Sequence, residues 1–399
     1  MKSQGPRMSA PAGLLCLLVV SGAWAQVPPA PPTQLRIASS SPTVTLGAWR
    51  STESLTSFSP GGAHDSASVA WNGYFYVTGG QYGAEHALDR IQRAEIRSDG
   101  SLGPWLDMAT LSAQFTLPIG RQDHKAVVYA PTQGGDAFIY IVGGWESSSG
   151  ARSDVYHAKL MADGTFGPWI QGPSLNTPRH GHEISIVNGR LYAFGGWDSF
   201  VALDGVEYVE ILPDGSLQGN QQGKWFVTQP LPQTLNFPAG GPYGNTPGAS
   251  YSPRVYSLGG ENPDLCGETV QKAVYSATPE SDGSIRQWRF ISTMPAPLFD
   301  HAATFYQNSI IVTGGSLRRS YSPVDCTPWG AVPQTSVYIG SVEQDGSISG
   351  WASGPDLPAP RGDHTAVLYD GFLYIIGGRS TSDDPPYSVE VWYAPLRLN

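Results

Sequence analysis

Histidine returns at intervals along this 399-residue chain, and its neighbours are residues that move protons or hold metals. His64, His124, His182, His301 and His364 each open a strand-like run. Asp123, Asp300 and Asp363 directly precede three of them, and Arg121, Arg179 and Arg361 stand three positions before His124, His182 and His364. Imidazole and carboxylate supply metal ligands and proton carriers, and a guanidinium beside them suits a carboxylate or sugar hydroxyls. The recurrence favours another role. A residue repeated in unit after unit is expected to serve the unit, here as a hydrogen-bonding plug between neighbours, since buried polar groups need partners. The chain contains no nucleophile elbow, zinc signature or nucleotide fingerprint. No catalytic residue, metal or cofactor is therefore assigned, and the Arg, Asp and His positions are carried as candidate ligand contacts.

The elements that must position these residues follow from glycine. Six hydrophobic runs end in Gly-Gly, at Gly79-Gly80, Gly143-Gly144, Gly195-Gly196, Gly259-Gly260, Gly314-Gly315 and Gly377-Gly378. Their second glycines lie 64, 52, 64, 55 and 63 residues apart, a period that radial β-repeats show. No helix is expected after the pairs, so they are not phosphate cradles. Within one repeat, Thr365 to Tyr369 reads as a strand, Asp370-Gly371 as a two-residue turn and Phe372 to Ile376 as its partner; Asn72-Gly73 and Asn188-Gly189 mark the same turn elsewhere. A third strand follows, then a second turn opened by Asp99, Asp163, Asp214, Asp282 or Asp345 and followed by Gly and Ser or Thr. Trp105, Trp169, Trp225, Trp288 and Trp351 then open a fourth strand. The last repeat stops after its third strand, while an orphan Thr43 to Trp49 matches the fourth. The N-terminal strand is expected to complete the C-terminal repeat and close the ring without an exposed edge.

The His-headed strand, the Gly-Gly pair and the spaced Tyr and Trp resemble the Kelch repeat across nearly all of residues 43–396. The resemblance implies an all-β, six-bladed β-propeller over residues 43–399. The recurrent Asp-Gly-Ser turn and a fourth repeat lacking histidine depart from the family pattern. Kelch propellers include enzymes, glycan-associated proteins and interaction scaffolds, so the likeness implies fold far more than function. The sialidase Asp-box also ends in Trp, but there Gly stands two and Trp five residues after Asp; here Gly stands one after, and Trp six after in four of the five repeats, the third carrying an insertion, Gln218 to Gln222. Kelch copper-radical oxidases have seven blades and need tyrosine and histidine ligands that cannot be placed here. Two readings remain: a binding or scaffold module for a protein or glycan, and a sugar-modifying enzyme resembling the Kelch-fold sialic-acid mutarotases.

Irregular residues discriminate better than repeated ones, because loops carry function on rigid scaffolds. Trp145 and Trp197 directly follow their glycines, the loop 316–334 holds Arg318, Arg319, Tyr321 and Trp329, and a long stretch from Phe226 to Ala249 precedes the fourth Gly-Gly pair. Trp145, Trp197, Tyr321 and Trp329 join Arg121, Asp123, His124, Arg179, His182, Arg361, Asp363 and His364 as the expected ligand contacts, all on the face of the post-Gly-Gly loops.

Lys2 and Arg7, the apolar run Gly13 to Val20 and Ala23-Trp24-Ala25 form a signal peptide over residues 1–25, followed by a proline-rich linker over 26–42. A secreted or periplasmic location is expected. Cleavage would leave two cysteines, Cys266 and Cys326, which compartment and even number pair as a disulfide. The formal charge of −10 becomes −12 without Lys2 and Arg7. That balance disfavours nucleic acid and anionic membrane surfaces, and no apolar run after the signal has membrane-spanning length. Oligomeric state is not legible.

Overall fold

The computed structural model describes residues 44–56, 64–82, 86–132, 135–243, 253–262, 270–321, 328–380 and 387–398, with backbone alone for 82, 86, 242–243, 318–321 and 328–330. Positive backbone φ turns the chain where the sequence expects hairpins: Asn72 and Gly73 at 48° and 80°, Asn188 and Gly189 at 51° and 72°, Asp370 and Gly371 at 46° and 77°. Both central residues of a type I′ turn need that region, which Asn, Asp and Gly tolerate best.

Six antiparallel sheets result, one per repeat. Blade one comprises Ala67–Trp71, Tyr74–Thr78, Ile91–Glu95 and Leu106–Asp107. Blade two comprises Lys125–Tyr129, Ala137–Val142, Val155–Leu160 and Ile170–Gln171. Blade three comprises Glu183–Val187, Arg190–Phe194, Val206–Ile211 and Phe226–Thr228. Blade four comprises Ala239–Tyr243, Arg254–Leu258, Ala273–Ala277 and Arg289–Thr293. Blade five comprises Phe299–Tyr306, Ser309–Tyr321, Val337–Val342 and Ile348–Ser353. Blade six takes Thr365–Tyr369, Phe372–Ile376 and Val391–Leu398 from the C-terminus and Val44–Leu46 from the N-terminus. Val44 pairs with Leu398 and Leu46 with Leu396, and Arg50–Ser51 adds a second contact to the same strand at Tyr393 and Trp392. The first strands of successive blades pack in ring order around the centre, the sixth against the first. This is the closed six-bladed propeller that the repeat count predicts.

Six apolar clusters hold the ring, one between each pair of neighbouring blades. Two periodic hydrogen bonds cross the same seams. The second-strand tyrosines Tyr76, Tyr140, Tyr192, Tyr256 and Tyr374 donate to the carbonyls of Gly164, Gly215, Gly283, Gly346 and Gly100, each in the following blade's Asp-Gly-Ser or Asp-Gly-Thr turn, at 2.8–3.0 Å. The outer-strand indoles of Trp105, Trp225, Trp288 and Trp49 donate to the carbonyls of Glu53, Pro173, Gln229 and Pro355, four residues past the preceding blade's own Trp. The Asp of each turn caps its Ser or Thr, as Asp99 Oδ1 does by accepting from Ser101 N and Oγ at 2.9 and 2.6 Å. The uniform turns are thus joints between blades.

Two expectations are corrected. The described residues of 316–334 are largely strand: the second strand of blade five runs on to Tyr321 and pairs with Pro328–Pro333, placing Ser320 opposite Trp329. The stretch from Phe226 to Ala249 contains the first strand of blade four, Ala239–Tyr243. Its glycines conceal it from propensity, but Gly240 is required, because a Cβ there would lie 2.3 Å from the Tyr256 carbonyl oxygen.

Candidate functional site at the channel mouth

One residue per blade sits at the entry to the first strand in the left-handed region, two positions before it in five blades and at its second residue in blade five: Asp65, Asp123, Gly181, Phe237, Asp300 and Asp363, with φ between 48° and 56°. Backbone N–H groups of this ring donate to the previous member's carbonyl at four junctions: Asp123 to Asp65, Gly181 to Asp123, Phe237 to Gly181 and Asp363 to Asp300, at 2.8–3.1 Å. Non-glycine residues rarely hold this conformation, so the ring is a constrained feature. It frames a cavity of about 60 Å³ open to the surface, lined also by His124, Lys125, Pro238, His301, His364 and Thr365. A second cavity of about 130 Å³ runs between the first strands, where Lys125 Nζ lies 3.1 Å from Glu183 Oε2.

The ring aligns the repeats and moves one histidine. His64 precedes its ring residue and bridges to Gln81, as His180 precedes Gly181 and bridges to Trp197. Ser66 therefore occupies the position of His124, so four blades, not five, carry the histidine behind the ring. These four are wedged between glycines: a Cβ on Gly79 would fall 2.7 Å from His124 Cε1, and one on Gly144 would fall 2.7 Å from its Cβ. His124 and His364 share hydrogen bonds with Thr78 and Thr313 of the preceding blade at 2.9 and 3.0 Å. Burial pushes His124 and His182 well below the ordinary histidine range and His301 and His364 down to about 3. They are neutral plugs between blades.

Arg121, Arg179 and Arg361 are not at the mouth. All three are buried, and each binds an acid at the start of the third strand of its own blade, Glu207 within it and Asp154 and Glu390 one residue before it. Arg121 reaches Asp154 at 3.1 Å and the Gly143 carbonyl at 2.9 Å; Arg179 reaches Glu207 at 2.6 Å and the carbonyls of Gly195 and Gly205; Arg361 reaches Glu390 and Ser388. Their own carbonyls accept from Gly80, Gly144 and Gly315 of the preceding blade. They latch the Gly-Gly turns.

What reaches the mouth is acidic. Asp363, Asp300, Asp65 and Asp123 form an arc over blades five, six, one and two. Arg379 binds Asp300 at 2.9 Å and also Asp363, His64 Nδ1 lies 2.8 Å from Asp65, and His180 Nδ1 lies 3.2 Å from Asp123. Burial raises Asp300 well above the usual carboxylate range, with Asp363 adding to it; burial likewise raises Asp363 and Asp65. Burial opposes charge on His64, but Asp65 outweighs it and the pKa is raised. Blades three and four complete the rim differently, with Gly181 and Phe237. His180 stands edge-on to Phe237 at 6.4 Å and to Trp145 at 5.0 Å, ring centre to ring centre. Trp197 is tied to His180 through two backbone bonds. The loop after it displays Phe200 (83% exposed) and Val201 (55%). That display is fixed, because Asp198 Oδ1 accepts from Phe200 N and Val201 N at 2.8 Å, and Ser199 Oγ accepts from Ala151 N of the next loop.

Of the expected contacts, Asp123 and Asp363 line the mouth directly, with His124 and His364 behind them, and Trp145 and Trp197 flank it. The side chains of Tyr321 and Trp329 lie outside the described part, as do Cys266 and Cys326. Sequence reasoning missed Asp65, His180 and Arg379 as rim residues. The signal was available at Asp65, one residue past its histidine where the other repeats have it one before. Among the described residues, no three His, Cys, Asp or Glu side chains converge to hold a metal ion.

A single ring of six blades around a central channel defines the class, a six-bladed β-propeller. The Kelch motif family matches residues 178–212, the span from Arg179 through Gly196 to the third strand of blade three. Kelch-like protein terF of Aspergillus terreus is 28% identical over 224 residues, covering 53% of this chain and 43% of that protein. Kelch-like protein 35 of Mus musculus is 24% identical over 253 residues, covering 63% and 34%. Beta-scruin of Limulus polyphemus is 30% identical over 152 residues, covering 36% and 14%. The chain thus spans less than half the length of these curated relatives. The structure of YjhT superposes with a TM-score of 0.59 at 13% identity, over 84% of this chain and 95% of that one, a likeness of fold alone. The Kelch motif match and the likeness to Kelch-like proteins support a Kelch-repeat family.

Proposed function

We propose that this protein is an exported binding module whose loop face engages a protein partner. The carrying observation is the contrast between the two faces. The Asp-Gly-Ser turns are consumed in joints between blades, whereas the other face holds a rigid, solvent-exposed Phe200 beside the mouth. An aromatic anchor displayed on a fixed loop is the kind of residue that dominates protein interfaces, and relatives of this fold are named as Kelch-like proteins and scruins. Export rests on the signal-like residues 1–25 and brings with it the Cys266–Cys326 disulfide; N-terminal sequencing and non-reducing mass analysis of the secreted product test both. Intact export with residue 26 as the new N-terminus and no free thiol is expected.

The binding test is mutational mapping against a selected binding partner or glycan panel. Trp197→Ala and Phe200→Ala should each weaken binding at least tenfold with an unchanged melting temperature, and Asp345→Ala should leave it unchanged. Binding that maps to Asp345 would refute the loop-face reading. One observation supports the enzymatic alternative: Asp300 and Asp363 stand at the mouth on a common partner, Arg379, and burial raises both above the usual carboxylate range, so a proton donor can stand beside an acceptor, as sugar ring opening needs. The same carboxylates repel a sugar acid, so this alternative applies to neutral sugars. Accelerated anomer exchange by NMR, lost in Asp363→Asn, would select it.

A further inference from the structure

Arg121, Arg179 and Arg361, expected to meet a ligand there, are buried away from the mouth, and the acids left at the rim change the charge of the ligand it suits. We infer that the channel mouth is a binding site for an organic cation, the ammonium or guanidinium group of a lysine or arginine side chain that a partner protein inserts between Asp65, Asp123 and Asp363. The inference rests on the loop-face reading above and names the chemistry of its partner.

Three independent features converge. First, the carboxylates outnumber the resident cations. Asp65, Asp123, Asp300 and Asp363 line one cavity; among the described residues the permanent cations beside them are Arg379, shared by Asp300 and Asp363, and Lys125, which is matched by Glu183. Second, His301 also lines the cavity, is only 7% exposed, and neither of its ring nitrogens has a hydrogen-bond partner among the described residues. Its ring is neutral, so one of those nitrogens is a lone-pair acceptor. That acceptor, beside carboxylates with lone pairs beyond those their resident partners use, suits a ligand rich in N–H donors. Third, the arc is not closed: blades three and four leave Gly181 and Phe237 there, with His180 and Trp145 beside Phe237. Aromatic faces beside carboxylates suit a guanidinium or ammonium group through its cation–π attraction. A side chain dipping into the mouth would bring its own backbone onto the loops that display Phe200, which is why a protein is favoured over a free amine.

The site also predicts the direction of pH dependence. A bound cation stabilises ionised Asp65, Asp300 and Asp363, whose unliganded forms hold protons above the usual carboxylate range, so binding releases protons. His64, the titrating cation next to Asp65, loses its charge as pH rises and stops competing. Arg379 stays charged and His301 and His364 stay neutral throughout. Affinity for a cation therefore rises with pH.

The test uses the full mature chain and three probes followed by titration calorimetry: hexa-arginine, hexaglutamate and spermidine. Hexa-arginine should bind, hexaglutamate should not, and affinity should increase severalfold from pH 5 to pH 8. The double variant Asp65→Asn/Asp123→Asn, in which Asn tolerates the same backbone conformation, should lose at least tenfold. Glu95→Gln/Glu343→Gln, removing as many exposed charges near the opposite turns, should stay within twofold. Equal loss in both double variants would reduce the effect to net charge and overturn the site, as would preferred binding of hexaglutamate or no binding of hexa-arginine. Spermidine binding as tightly as the peptide would overturn the protein side chain as occupant. If Phe200→Ala abolishes partner binding while Asp65→Asn/Asp123→Asn does not, the cation site fails and the loop face stands.

Discussion

Arg179 lies 2.6 Å from Glu207 and is 1% exposed, so removing it strands a buried carboxylate. Arg179→Ala should cost about 3–5 kcal/mol of stability, read as a lower denaturant midpoint, with any change in ligand affinity following from unfolding. The four plug histidines make a second residue-scale prediction. An unfolded histidine titrates near 6.5 and these are held lower by burial, so as pH falls the unfolded chain takes up protons first. Their contribution is full above the unfolded pKa and is lost as pH drops below it, down to about 3 for His301 and His364. Asp65, Asp300 and Asp363 act oppositely, because their raised pKa lets the folded chain take up protons first. Histidine ring NMR separates these groups: His64 should titrate above 6.5, while the four plugs keep neutral shifts down to pH 5. The sequence made the plug role legible through recurrence. It misplaced His64 by two positions, because only backbone φ shows that Asp65, and not His64, aligns with Asp123 and its own neighbour.

Among the elements, the Asp-Gly-Ser turn shows how much pattern can reveal and where it stops. Its uniformity pointed to a structural face, but its partner was hidden: a tyrosine two strands away in the preceding blade. Blade five has Ile311 in place of that tyrosine, and it is followed by blade six, which has no Asp-Gly-Ser turn to receive a hydroxyl. Tyr192→Phe should therefore cost about 1 kcal/mol by leaving the Gly283 carbonyl unpaired, whereas Ile311→Tyr should gain nothing. The tryptophans give a matched contrast. Trp225 donates to Pro173 at 2.8 Å, but the buried indole nitrogen of Trp169 has no partner, since the corresponding stretch of blade one turns into the short 3₁₀ segment Met108–Thr110. Trp225→Phe should lower stability by about 1 kcal/mol more than Trp169→Phe. The ribbon through Tyr321 and the glycine-rich strand Ala239–Tyr243 escaped the sequence because cross-strand pairing, not propensity, makes them strands.

For the whole molecule, the decisive joint is the one between the two ends of the chain. Five blades are built from contiguous sequence, but blade six borrows Val44–Leu46 and would otherwise leave the strand Val391–Leu398 as a free edge. The N-terminal segment also carries two of the ring's indole joints: Trp49 donates to Pro355 of blade five at 3.0 Å, and the carbonyl of Glu53 accepts from Trp105 of blade one at 2.9 Å. Val44 and Leu46 are buried in the cluster between blades five and six, worth about 1.5–3 kcal/mol each. Deleting residues 43–52 removes this packing, the strand pairing and the Trp49 joint together, and exposes an edge to other copies. The expected result is a fall in the denaturant midpoint far larger than that of deleting Gln221–Gln222 from the exposed turn of blade three, with a larger radius by solution scattering and concentration-dependent association. A deletion variant that melts like the parent and keeps its radius would mean that the three remaining strands of blade six hold the ring alone.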